Sequence, residues 1–205
     1  MKPYILASVI LFGALIAYEN KKHTKQSKKQ EQSFWERENM ANSVRRKPLD
    51  DLDYISVPLE DLSMDALPDL EEAAECRRIL ENLSGQKIVN FTGITNTDLK
   101  LRYGAPNIDL LTGYDQNYTS LVCTLQKWAV LLYDNNLVDE AQKVLEFAVS
   151  TRTDVSRSYY LLADIYLQKN QPEKIDTLIE TADTLNSALK STIVRTLQGS
   201  GPYSG

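Results

Sequence analysis

The sequence predicts an all-α protein. Helix-turn-helix repeats and a capping helix form its C-terminal part, behind an irregular N-terminal strap and a transmembrane helix. Two observations carry this. Offset by thirty-four residues, Leu125, Trp128, Ala129, Leu132, Ala141, Leu145 and Ala148 fall opposite Tyr159, Leu162, Ala163, Tyr166, Ile175, Ile179 and Ala182. A fixed period of this length marks a hairpin of helices that buries its apolar face against its neighbours. The second is the uncharged run at residues 4–18 (YILASVILFGALIAY), followed by Lys21, Lys22, Lys25, Lys28 and Lys29.

The first expected element is a signal-anchor over residues 1–20. Fifteen apolar residues span roughly 22 Å as helix, short of a hydrocarbon core of about 30 Å, a gap that snorkelling Lys2 and Lys21 would narrow. The same length suits a secretory leader. A leader, however, wants positive charge ahead of the run, where only Lys2 and the terminal amine lie, and Leu15 spoils a small-x-small cleavage site at Ala17. The five following lysines favour retention on the cytoplasmic side and contact with anionic lipids. The expected localisation is therefore a single-pass membrane protein with a cytoplasmic C-terminal domain. A cleaved leader on an exported protein is the alternative, and the glycosylation patterns at Asn82, Asn90 and Asn117 are read as chance matches.

Residues 21–33 form a basic polar tether that cannot join a packed core, read either as flexible or as a helix continuing out of the membrane. Ser33 with Glu36 reads as a capping box opening a helix through Lys47, which Pro48 ends. The stretch 34–68 thus holds a juxtamembrane helix and an extended strap, the strap showing alternation around Ile55, Val57 and Leu59. Residues 69–117 are expected to cap the repeats. Asp69 with Glu72 opens a helix that Gly85 closes, striped by Leu70, Ala73, Cys76, Leu80 and Leu83. Beyond it, Gly93, Gly104, Pro106 and Gly113 break the chain into short pieces, helical at 97–103 and 107–111.

Two repeats and a capping helix fill residues 118–198. Helices are predicted at 118–133 and 138–150 around a turn at Asp134, Asn135 and Asn136. A second pair lies at 155–168 and 172–184 with Asn170 in its turn, and a last amphipathic helix at 186–198. The tail 199–205 (GSGPYSG) is read as flexible.

Composition narrows the function. The net charge is −5, with Lys/Arg dominating from 21 to 47 and Asp/Glu from 50 to 81, so the acidic body argues against nucleic acid. Cys76 and Cys123 are far apart and read as reduced thiols. His23 is the only histidine and lies in the tether, which removes Ser-His-Asp and Cys-His arrangements and histidine-based metal sites. The glycines form no phosphate loop, and Asp50, Asp51 and Asp53 lack calcium-loop spacing. No catalytic residue, cofactor or metal is expected; the chain reads as a non-enzyme.

The repeat residues resemble those of the tetratricopeptide repeat (TPR) family. Trp128-Ala129 and Leu162-Ala163 stand at that family's Leu-Gly positions, Leu132 and Tyr166 at its Tyr position, and Ala141, Ala148 and Ala182 at its small positions. The match departs from the family at Ile175, in the missing glycine and in the missing terminal proline. It covers about a third of the chain. The resemblance implies a concave groove lined by the first helix of each repeat: Gln126, Val130, Tyr133 and Asp134, then Arg157, Tyr160, Asp164, Leu167 and Gln168. It implies a scaffold or adaptor that recruits another protein, as peptide or helix, to the cytoplasmic face of a membrane. A permanent structural subunit of a membrane complex is the alternative.

Overall fold

The computed structural model describes residues 27–199 together with Phe12, Glu19 and Lys21. Among the described residues eight α-helices follow one another: α1 over residues 27–43, α2 (Glu71–Ser84), α3 (Asn96–Tyr103), α4 (Ile108–Asp134), α5 (Val138–Ser150), α6 (Ser156–Gln168), α7 (Glu173–Asp183) and α8 (Lys190–Gln198). Among the described residues the extended structure amounts to one isolated antiparallel bridge, Tyr54 with Val89.

The expected membrane span at residues 4–18 lies outside the described residues, Phe12 excepted. The single-pass localisation is corrected. Among the described residues no helix is long and apolar enough to cross a membrane. The longest, α4, carries Asp109, Asp115, Lys127 and Asp134, and spends its apolar side chains on a protein core instead.

Two compact units form. Among the described residues, one comprises Phe12, Glu19, Lys21 and 27–47 with 96–108, the other 48–95 with 109–199. In the first, α1 and α3 are joined by polar contacts: Arg37 pairs with Asp98 at 2.5 Å, Thr97 Oγ1 donates to Glu38 at 2.7 Å, and Lys100 bridges Glu38 and Asn42. The Lys100 ammonium holds the Glu38 carboxyl below its ordinary pKa. Helix α1 begins ahead of Ser33, whose hydroxyl donates back to Gln30 O at 2.8 Å rather than capping, and it ends at residue 43. Gly104, at φ 94°, lies against Arg45, whose carbonyl oxygen would be 2.2 Å from an added Cβ.

The second unit holds α2, most of α4, α5 to α8, and the core. Trp128, Leu125, Leu132, Leu145, Tyr159 and Leu162 are all essentially inaccessible. Of the fourteen positions matched at thirty-four residues, all are buried except Ile179, which is partly buried against the same core. The hairpin turns repeat too. Asn136 (φ 62°) and Asn170 (φ 54°) both take the left-handed conformation that asparagine tolerates better than most residues. After each, the next amide reaches back to the helix end, Leu137 N to Leu132 O at 2.9 Å and Gln171 N to Tyr166 O at 2.8 Å. Helix α8 begins at Lys190, thirty-four residues beyond the start of α6, so it stands where a third repeat would place its first helix. Gly113 does not break α4, because Leu111 and Tyr118 on either side both reach the interior and hold the helix straight through.

Residues 88–95 form a clasp. Asn90 Nδ2 donates to Thr151 O (3.0 Å), Arg152 O (3.2 Å) and Tyr118 Oη (2.9 Å), satisfying carbonyls of the turn between the two hairpins. Three residues on, Gly93 (φ 78°) packs against Asn186 in the turn before α8. Arg152 and Asn186 are themselves thirty-four apart, so one short segment holds two equivalent turns.

A Cβ at Gly93 would sit 2.0 Å from Asn186 O. Gly93→Ala is therefore expected to destabilise the chain by more than about 2 kcal/mol, through steric displacement and a left-handed alanine. Urea unfolding measures this, and an unchanged midpoint would mean that the clasp does not hold the turn.

Candidate functional site

The face lined by α4, α6 and α8 is the natural site in an array of helical hairpins, because each first helix lies beside the next. The structure ties these helices with side-chain rungs. Ser158 Oγ donates to Gln126 Oε1 at 2.6 Å, Gln168 Nε2 donates to Tyr133 Oη, and Tyr160 Oη donates to Thr196 Oγ1 at 3.4 Å. Gln126 and Tyr160 are equivalent positions in the two repeats, and each reaches the following first helix.

All nine expected groove residues lie on α4 or α6. Gln126, Tyr133 and Tyr160 are half-buried in the rungs. Asp134, Arg157 and Gln168 are exposed. Val130 and Leu167 are exposed apolar residues, Leu167 at 45%. Asp164 departs from the expectation of a groove contact: at 7% exposure its carboxylate is enclosed among its neighbours. Sequence reading did not find Ser158 or Thr196. A thirty-four-residue comparison of polar positions finds only half of each rung, because the bonds link non-equivalent positions on successive helices.

A separate cleft of about 430 Å³ lies on the turn side, between the strap at Asp53–Ser56, the clasp at Asn90–Ile94 and the turns at Ser150–Arg152 and Thr184–Asn186. Asn90 forms its wall, and its amide is engaged in the clasp rather than presented as a glycosylation acceptor. Sequence reading did not find this cleft, because its lining comes from four separated stretches of the chain.

Among the described residues no three metal-ligating side chains gather. Cys76 is buried, with its thiol pushed up by burial, while Cys123 is exposed on α4. Comparison with protein-family models, with curated proteins and with solved structures finds no match.

Three tyrosines of the second unit resist ionisation. Burial pushes Tyr118 up to about 12, and burial likewise raises Tyr159 and, together with Glu146, Tyr166. Each is raised in the folded state, so its contribution to stability is complete below the ordinary tyrosine pKa near 10 and is lost as pH climbs above it. Alkaline titration followed at 295 nm should show these phenols ionising late and together with loss of helical circular dichroism, between about pH 10 and 12. Independent ionisation near pH 10 with the fold intact would contradict their burial.

Proposed function

We propose that this chain is a protein-interaction module of the helical-hairpin class, similar to TPR proteins, and that it holds a partner segment on the face of α4, α6 and α8. The observation that carries this reading is the in-register stacking of α4, α6 and the start of α8. Side-chain rungs join their edges, and Val130 and Leu167 stand exposed between those rungs. Such a face offers apolar contact in a polar frame, the composition that binding hot spots favour when an aromatic residue lies beside it. Tyr133 and Tyr160 supply the aromatic residues. The lack of histidine outside residue 23 further supports binding over catalysis.

The test places a photo-crosslinking residue at Leu167 of the full-length protein in its native cells, with and without Val130→Asp and Tyr133→Ala. A discrete captured protein, lost by about tenfold or more in the double variant while helical circular dichroism is unchanged, is the expected result. Capture that persists undiminished in the folded variant would remove the groove from consideration.

A further inference from the structure

Away from the hairpin groove, the second unit has an open cleft of about 720 Å³ that joins an apolar floor to an acidic rim. Its floor is apolar: Leu59, Met64 and Leu67 of the strap, with Leu137 at the start of α5, are each only partly covered. Its rim carries Glu60, Asp65, Glu81 and Glu140, and no lysine or arginine lines it. Among the described residues, none of the four rim carboxylates has a lysine or arginine at ion-pairing distance.

The walls are built without any partner. Ser63 and Leu67 both adopt left-handed backbone, at φ 52° each, a conformation that a leucine reaches only when its surroundings impose it. Arg77 Nη1 imposes it from α2, donating to Ala66 O at 2.6 Å and Leu67 O at 3.3 Å. From the other side, the buried Trp128 indole donates to Leu62 O at 2.8 Å. The strap is thus pinned to two helices while its floor side chains remain half-open.

The chemistry of an occupant follows. The Arg77 guanidinium lies behind the wall on the Ala66 and Leu67 carbonyls, so four rim carboxylates against this one cation leave the cleft net negative. They are not gathered closely enough to hold a metal ion, since no such group of ligands occurs among the described residues. Dispersed negative charge over an apolar floor fits an extended cation with apolar side chains, and the volume lies within the usual range of ligand sites. We propose that this cleft docks a cationic peptide segment of another protein, one that places a leucine-like side chain between lysines or arginines. This surface is distinct from the hairpin groove and does not depend on it.

Binding to the full-length chain would be read by fluorescence anisotropy. The probe is a labelled peptide of about ten residues, with lysines flanking leucines. Two control peptides replace the lysines by glutamate or the leucines by serine. Glu60→Gln, Asp65→Asn and Glu140→Gln together should weaken binding by about tenfold or more, and added salt should weaken it further. The same three charges removed from the outer face of α7 (Glu173→Gln, Asp176→Asn, Glu180→Gln) should leave it within about twofold, because those positions lie outside the cleft and are screened from it. Three results would each overturn the proposal: no binding of the lysine-leucine peptide, equal weakening by both triple variants, or equal binding of the serine peptide. Salt-sensitive self-association in sedimentation velocity, abolished by the cleft variant alone, would assign the cleft to a second copy of the chain instead.

Discussion

The repeat depends on two asparagines. A helical hairpin needs its chain to reverse within a few residues, and the hydrogen bond that closes each reversal here requires left-handed backbone one residue earlier. Asn136 and Asn170 provide it without glycine. Because they stand at the same point of each repeat, the two hairpins leave their turns in the same direction. The apolar positions of α4 with α5 and of α6 with α7 can then share one core. Without that shared geometry the thirty-four-residue match would be a pattern of composition only. With it, α8 arrives at the start of a third repeat and covers α6 and α7 through Ile193 and Leu197.

The hairpins were legible in the sequence because they are local and periodic: apolar spacing near 3.6 residues, turn-forming asparagines and a repeat interval all agree. The regions on either side were not. Residues 54–70 and 88–95 bury only a few side chains each, and bonds with residues outside them hold them in place: Trp128 to Leu62, Arg77 to Ala66, Asn90 to Thr151. Nothing in a local window announces partners that lie from eleven to more than sixty residues away. Gly113 misled for a related reason. An isolated glycine costs a helix about 1 kcal/mol, and the burial of Leu111 and Tyr118 outweighs that. The groove residues could be placed on their helices from the sequence. The enclosure of Asp164 and the rungs through Ser158 and Thr196 could not, because they depend on how one helix lies beside the next.

The clasp explains why this unit needs so much chain outside its hairpins. The turn after α5 must expose carbonyl groups while it changes direction, and a buried or half-buried carbonyl left unpaired costs about 1–3 kcal/mol. Asn90 covers two of them and is itself oriented by the Tyr118 hydroxyl, which also donates to Thr151 O at 3.2 Å. The equivalent turn before α8 is met by the close approach of Gly93 instead. One segment therefore serves two turns by two different means, which is why its asparagine and its glycine must lie three residues apart.

The rungs bear on how the groove can bind. Gln126, Tyr133, Tyr160 and Gln168 already hold hydrogen bonds. A ligand that engages them exchanges one bond for another, for a net gain of only about 0.5–1.5 kcal/mol each. Val130 and Leu167 have no such bonds to give up, so covering them yields the full benefit of removing apolar surface from water. Affinity on this face should accordingly come from the exposed aliphatic positions, and selectivity from the polar frame that a mismatched ligand would leave unsatisfied. The acid-lined cleft works by the opposite balance, in which charge dominates and the apolar floor discriminates. Salt distinguishes the two surfaces: screening weakens the charge-led contact and leaves the aliphatic one nearly unchanged.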